Sequence, residues 1–208
     1  MKTFTEEINN AMKDNVTDIS FDLETLGTEI GSPIVAIGVA GFCRKTGKVY
    51  KLLEANISLD SAIKHSTGVN PDTLQWWFEQ DAEAIKKTFN ADEKVSLKWA
   101  LYQVEHVLKM LSDQLTKPVH VWGNGATFDI SLLEYAFSSV HIRVPWKFWN
   151  VRDVRTVVDL GRDICGIDPK KDFPFQGTRH SALDDAVHQA RYTAAIISAL
   201  AYKKQPQL

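Results

Sequence analysis

Apolar and polar residues alternate through the first motif-bearing stretch of the chain. Ile19, Phe21 and Leu23 are apolar, while Ser20, Asp22 and Glu24 are polar. A period of two predicts a strand, from about Val16 to Glu24, whose two faces meet different environments. A Gly- and Ser-containing loop, Thr28 to Pro33, leads to Ile34–Phe42, which is β-rich and mostly apolar, as a strand covered on both faces requires. Arg44-Lys45-Thr46-Gly47-Lys48 reads as a turn and Val49 to Leu53 as its hairpin partner. Elsewhere the period lengthens toward 3.6. Residues 6–14 form a short amphipathic lead-in. Pro71-Asp72-Thr73 starts a helix carrying Trp76 and Trp77, and Asp81 with Glu83 opens another toward Phe89. Ser96 caps a long helix with Leu97, Leu101, Val104, Val107, Leu108 and Leu111 at helical spacing, ended by Pro118. Val119 to Trp122 reads as a buried strand, Gly123-Asn124-Gly125 as a tight turn, and the next helix carries Ile130, Leu133 and Phe137. Asp153 caps a helix through Val157, Leu160 and Ile164. Asp172 to Thr178 has no periodicity. The last helix runs from near Ser181 to about Tyr202, and the tail from Gln205 frays. Strands mixed with helices, three of them consecutive at the start, predict an α/β fold with a mixed central sheet.

Composition narrows this picture modestly. The 208 residues, 44% hydrophobic and 24% charged, suit one globular domain spanning residues 1–208. No apolar run approaches the ~20 residues of a membrane span, and Glu6 and Glu7 fall where a signal peptide needs apolar residues. A cytoplasmic protein is expected, with Cys43 and Cys165 reduced. Cys and His do not cluster as structural zinc requires. The net charge of −2 excludes a broad basic field, so any contact with nucleic acid is short and local. Eight Lys/Arg against five Asp/Glu between Arg143 and Arg179 mark a basic stretch; between Asp72 and Glu93 six acids oppose two lysines.

The chemistry lies in the acids. Asp22 and Glu24 point the same way from one strand, about 7 Å apart at ~3.3 Å per residue, and a hard divalent cation fits between two such carboxylates. A solvent-facing polar strand side is the plainer account of one D-x-E. Asp129 stands just after a strand, in the first turn of a helix, where the helix dipole alone favours an acid. In His180-Ser181-Ala182-Leu183-Asp184-Asp185, Ser181 and Asp184 fit a capping pair. Asp185 is rotated ~100° from Asp184, so it faces the sheet while Asp184 faces solvent. His180 titrates near neutrality when unperturbed and suits a general base. Four carboxylates at strand ends and helix starts match the ligand set of two-metal phosphodiester hydrolysis, with ions ~3.5–4 Å apart.

Phe21-Asp22-Leu23-Glu24-Thr25, Asn124-Gly125-Ala126-Thr127-Phe128-Asp129 and His180-Ser181-Ala182-Leu183-Asp184-Asp185 resemble the three motifs of the DnaQ-like, DEDDh-type 3′→5′ exonucleases. They occur in order and span nearly the whole chain. Pro71-Asp72-Thr73 before Trp76-Trp77, Trp122-Gly123-Asn124-Gly125, Phe148-Trp149-Asn150 and Phe175-Gln176-Gly177-Thr178 are similar to a narrower branch, that of phage dexA-type exonucleases and a bacterial 3′→5′ exoribonuclease. The resemblance implies a ribonuclease H-like fold with a five-stranded sheet and two Mg²⁺ ions (or Mn²⁺). Asp22 would bridge both ions. Glu24 and Asp185 would hold the one that activates water, Asp129 the one near the leaving group, and His180 would be the base. The expected substrate is the 3′ end of single-stranded DNA or RNA, cut to nucleoside 5′-monophosphates.

Around these five, the resemblance gives Thr25, Leu26 and Gly27 to the terminal nucleotide, with Leu26 wedged against its base; an ordinary strand-end turn is the alternative. Phe128 stacks on a base or plugs the core. Asn124 bonds the scissile strand or shapes its turn. Trp76 and Trp77 cannot share a helix face, so one belongs to the core and one to the site, with Trp77 the expected substrate residue. Arg152 and Arg155 meet phosphate or pair with a neighbour such as Asp153. A noncatalytic 3′-end binder and a polymerase-associated proofreading subunit are the competing functions. No residue argues for or against a homodimer.

Overall fold

The computed structural model describes residues 2–113 and 118–203. Five strands, β1 (Asp18–Thr25), β2 (Ile34–Phe42), β3 (Val49–Asn56), β4 (His120–Gly123) and β5 (Val151–Asp153), form one sheet in the order β3-β2-β1-β4-β5. β1, β2 and β3 pair antiparallel, whereas β4 is parallel to β1 and β5 to β4. The mixed five-stranded α/β sheet expected above is present. β2 is buried along its whole length, as its unbroken apolar run requires. β5 carries no period-two signal to read in three residues; it follows a 3₁₀ turn, Phe148–Asn150.

Helices α1 (Lys2–Lys13), α2 (Leu59–Lys64), α3 (Pro71–Phe78), α4 (Ala82–Phe89), α5 (Leu97–Asp113), α6 (Asp129–Ser139), α7 (Val154–Leu160), α8 (Pro169–Asp172) and α9 (Ala182–Lys203) surround the sheet. Local chemistry sets several of their ends. Asn70 caps α3, accepting from the N–H groups of Asp72 and Thr73, with Pro71 at the first helical position. Ser96 Oγ accepts from Trp99 N–H at the start of α5, and Asp153 accepts from Thr156 N–H at the start of α7. α7 does not continue as a regular helix to Ile164. It widens to a π turn at Gly161–Cys165, where Gly161 packs against Ile196. The expected end of α5 before Pro118 and the tail from Gln205 lie outside the described residues.

The sheet is covered on both sides. Ile19, Phe21 and Leu23 join the larger core, with Leu101, Val104, Leu133 and Phe137 from the helices and Trp146 from the segment before β5. Ala40, Phe42 and Trp122 join a second core with Leu183, Ala186, Val187 and Ala190 of α9. The polar alternates of β1 therefore do not face open solvent. Asp18 and Ser20 are buried, Glu24 is buried, and Asp22 is half-buried.

Two expectations at the start of α9 are corrected. Asp184 does not face solvent. It is buried, accepting from Thr178 N–H at 2.9 Å and paired with Lys87 at 2.9 Å and Lys51 at 3.6 Å. Ser181 does not cap through its hydroxyl: Oγ is buried without a hydrogen-bond partner among the described residues, while the Ser181 carbonyl accepts from Asp185 N–H. Lys87 of α4, Lys51 of β3 and the Thr178 N–H draw Asp184 inward, away from the solvent-facing role that spacing alone assigns it.

Candidate active site

β1 supplies Asp22 and Glu24, and the pairing of β1 with β2 explains how a helix reaches them. Asp22 lies opposite Gly38. A Cβ on Gly38 would sit 2.1 Å from the backbone carbonyl of Ala182. Only a residue without a side chain lets the first turn of α9 rest on the sheet here. Asp185, one turn into α9, is thereby set beside Asp22. A register shift between Glu24 and Thr25 falls at the same place, a bulge that re-aims the strand end next to the site. Carboxylate oxygens of Asp22, Glu24 and Asp185 lie within 4.8 Å of one another.

Asp129 stands beside this triplet rather than inside it. Its Cβ packs against Gly123, where an added Cβ would lie at 3.0 Å. Its charge still reaches Asp22 and Glu24. The turn that delivers it is braced from β5: Asp153 accepts from Ala126 N–H at 2.8 Å. Gly125, at φ +108°, leaves space that the Arg155 guanidinium borders at 3.3 Å.

Burial and crowding raise the acids' pKa values together. Glu24 is pushed from 4.5 to about 8, by burial first and then by Asp185 and Asp129. Burial lifts Asp129 from 3.8 to about 7, against the pull of Asn124 N–H and Arg155. Asp22 is raised well above the usual range by burial, then by Glu24, Asp129 and Asp185. Asp185 is raised by burial and held back by the N–H of His180. Among the described residues, no ion pair involves any of the four. Asp22 and Glu24 have acids and no cation among the charges that act on them, while Arg155 offsets Asp129 and Arg179 offsets Asp185 only in part. A hard cation with oxygen ligands relieves this condition.

His180 is held by its backbone. Its N–H donates to Asp185 Oδ2 at 2.7 Å, and its carbonyl accepts from Thr88 Oγ1 at 3.3 Å. The residue has φ +60°, a conformation rare for a side chain other than Gly and seen where surrounding bonds enforce it. α4 staples the preceding loop through Glu83, which accepts from Thr178 Oγ1, through the Lys87–Asp184 pair, and through Thr88. The His180 ring stands edge-on to Trp76, with centroids 5.0 Å apart.

The remaining expected residues divide. Trp76 is 40% exposed, while Trp77 is 2% exposed and donates from Nε1 to the carbonyl of Thr25 at 2.9 Å. Of the pair, Trp77 is the core residue, and it fixes the backbone just past Glu24. Leu26 is buried in the larger core, so it is not presented as a wedge. Thr25 Oγ1 donates to the Gly27 carbonyl at 2.7 Å, and Gly27 leaves room for Ser32 Oγ, which an added Cβ would meet at 2.4 Å. This loop is a shaped turn. Phe128 is half-buried against the core, and Asn124 lines a cleft with Asp185. Arg152 donates to the carbonyls of Trp149 and Val151.

Two site residues escaped the sequence reading. Gln189 donates from Nε2 to Asp22 Oδ1 at 2.6 Å, and Tyr192 is buried near enough for Asp22 and Asp185 to raise its pKa further after burial. Both share the helix face of Asp185, at i+4 and i+7, a spacing that was legible once Asp185 was chosen.

The mixed five-stranded sheet, with acids at the end of β1 and the starts of α6 and α9, has the ribonuclease H-like fold, and the class is that of the 3′→5′ exonucleases. The family model of the Rv2179c-like 3′-5′ exoribonuclease domain matches residues 17–197, and the chain belongs to that family. It is 25% identical over 167 residues to an exodeoxyribonuclease of Enterobacteria phage T4, covering 68% of this chain and 70% of the phage protein. Among solved structures it is similar to the nuclease domain of 3′hExo, a DEDDh family member bound to rAMP. The TM-score is 0.51, with 13% identity and coverage of 92% of this chain and 94% of that one. A 3′-exonuclease recognising the histone mRNA stem-loop is similar at TM-score 0.51 and 14% identity, over 86% of this chain and 80% of that one. These structural likenesses concern the fold. No helix among the described residues is long and apolar enough to cross a membrane.

Proposed function

We propose that Asp22, Glu24, Asp129 and Asp185 hold two divalent cations, Mg²⁺ or Mn²⁺, and that His180 is the base that takes a proton from the attacking water. The observation that carries this reading is the triplet of carboxylates within 4.8 Å, with pKa values raised and no ion pair among the described residues. An all-oxygen, acidic donor set suits hard cations. When bound, such ions neutralise phosphoryl oxygens and acidify a coordinated water.

The chain's own residues do the rest. Gln189 fixes the orientation of Asp22 through one hydrogen bond. Asp185 contributes a carboxylate and also ties down the His180 backbone, so base and ligand cannot move independently. Trp76 closes one side of the His180 ring and lines a 460 Å³ pocket with Glu24, Thr25, Asn70, Asp72 and Thr73. That volume suits a single nucleotide. Trp76, supported from beneath by Trp77, is the aromatic surface on which its base stacks.

The substrate is a single-stranded 3′ end and the product a nucleoside 5′-monophosphate. RNA is the first choice, because the family match spans most of the chain. The phage relative favours DNA as the second reading. A reducing cytoplasm suits Cys43 and Cys165, both free thiols. Incubating 5′-labelled RNA and DNA oligonucleotides of one sequence with Mg²⁺ tests the proposal. A 3′-shortening ladder lost in Asp22→Ala and His180→Ala supports it, and the faster ladder names the sugar. Unchanged digestion by Asp22→Ala overturns it.

A further inference from the structure

The acids separate two hollows of opposite character. On the Glu24 side lies the 460 Å³ pocket, whose lining contains Asp72 and no lysine or arginine. On the Asp185 side lies a cleft of 1180 Å³ that extends between α7, α9 and the loop approaching His180. Arg155, Arg162, Lys170 and Arg179 line it, against Asp159 and Asp185. In a chain of net charge −2 this concentration of cations is local, and it opens directly onto the acids.

We propose that this cleft is the track for the strand upstream of the bond being cut, binding the phosphates of the nucleotides that remain after each cleavage. The proposal rests on the exonuclease reading of the acid cluster. An exonuclease that releases one nucleotide at a time needs one small pocket and one open path on either side of its acids. A polyanion leaving the acidic side finds repulsion in one direction and four cations in the other.

Arg179 is the most developed of these groups. It is exposed, and its guanidinium lies over the Phe175 ring at 4.9 Å, with His188 against the same ring at 4.9 Å. Stacking holds a planar cation at the cleft wall, a shape that takes a phosphate through paired hydrogen bonds or a base on its flat face. Lys170 is exposed at the start of α8, a point charge further along the same wall. Arg162 is partly spoken for, since it pairs with Asp168 at 3.2 Å. Remote contacts of this kind lower KM for longer substrates and leave the chemical step alone.

The test uses 5′-fluorescein oligoadenylates of two to eight nucleotides with the full chain. For the parent, KM falls as length grows. In Lys170→Ala and in Arg179→Ala this length dependence flattens, with KM for the octamer raised about threefold in each. Affinity for the octamer, measured by anisotropy with EDTA present, falls in parallel, and its salt dependence shallows. Lys109→Ala, on α5 and outside this cleft, keeps the parental length dependence. Full parental length dependence in both Lys170→Ala and Arg179→Ala overturns the track. The anisotropy arm separates the two readings: a protein that binds the octamer through Lys170 and Arg179 yet never hydrolyses it keeps the track and loses the nuclease assignment.

Discussion

Asp18 and Asp22 lie on one face of one strand, four residues apart, and they meet opposite treatment. Asp18 is fully buried and fully answered. Arg44 donates to both of its oxygens, Nε at 2.8 Å, Trp122 Nε1 donates at 2.8 Å, and Thr17 Oγ1 at 2.9 Å. Arg44 in turn lies over the Trp122 ring. At the other end Asp22 receives one neutral amide, from Gln189, and the charged groups that act on it are all acids. Burial and acidity are common to both ends, so neither marks the site. What differs is countercharge: the protein supplies it at Asp18 and withholds it at Asp22 and Glu24. The same contrast recurs across one peptide bond in α9. Burial opposes the Asp184 charge, but Thr178 N–H, Lys87 and Lys51 hold its pKa below the usual value. Asp185, next to it, is raised.

The largest effect that breaks this comparison is on turnover. Asn at Asp22 keeps the shape and removes a ligand charge, so Asp22→Asn is expected to lose more than about a thousandfold in activity. Its unfolding free energy in chelator is unchanged or higher, because a crowded charge has gone. Asp18→Asn does the reverse. It leaves Arg44 facing a neutral amide and costs about 3 kcal/mol, while activity per folded molecule stays near parental. Urea unfolding beside initial rates, on both variants, checks the pair. Equal losses of activity in the two would mean that countercharge does not divide the strand.

Next in size are two glycines of β2 that pair with β1, one opposite an acid and one opposite an apolar residue. Gly38 pairs with Asp22, and its added Cβ meets α9 backbone. Gly41 pairs with Ile19, and its Cβ would meet only the ends of side chains, Leu52 Cδ1 at 2.9 Å and Val16 Cγ1 at 3.0 Å. Gly38→Ala is expected to cost about 2–3 kcal/mol and to lower activity at least tenfold, because α9 must lift and carry Asp185 away. Gly41→Ala costs about 1 kcal/mol or less, and activity survives. Melting temperatures and rates on the two variants measure the difference.

Gly38 also shows where the sequence stopped being legible. The acids could be read because each sits at a local boundary, the end of an alternating run or the first turn of a periodic one. β1 to β4 and the long helices were readable for the same reason. What could not be read depends on contacts between elements distant in the chain. Nothing near Gly38 announces that Ala182 will lie against it. Asp184 looked solvent-facing because its partners, Lys51 and Lys87, come from β3 and α4. The sharing of duties between Trp76 and Trp77 is set by the Thr25 carbonyl, 52 residues away from Trp77. β5 is too short for any period to register.

Proton and cation binding sharpen the comparison without a mutation. Folded-state values of about 8 for Glu24 and about 7 for Asp129 stand above their ordinary 4.5 and 3.8. The native protein therefore keeps protons that the unfolded chain has released. This contribution to stability is complete below about pH 4 and is lost as pH rises toward 8, by up to ~1.4 kcal/mol per pH unit for each group. In EDTA the melting temperature is expected to fall between pH 5 and 8. With Mn²⁺ at a hundred times its dissociation constant, about 2.7 kcal/mol returns at pH 8. Asp22→Asn weakens both responses. Calorimetry across this range, with and without Mn²⁺, reads them, and a melting temperature indifferent to Mn²⁺ at pH 8 would remove the cation from the account.

The smallest effect concerns the answered acid of α9. Asp184 accepts from Thr178 N–H, two residues before His180, and Lys87 holds Asp184 from α4. Lys87→Ala leaves the core intact and removes a half-exposed pair, so stability changes by less than about 1 kcal/mol. The histidine loop loses one of its three ties to α4, the others being Thr178 to Glu83 and Thr88 to the His180 carbonyl. A fall in kcat of about two- to fivefold is expected, with faster amide exchange over residues 178–180. Lys51, 3.6 Å from the same carboxylate and more exposed, carries less of this duty, and Lys51→Ala is expected to keep kcat within about 1.5-fold of parental. If the two lysines prove equivalent, the charge on Asp184 matters only as a sum; if Lys87 alone moves kcat, α4 positions the base by geometry.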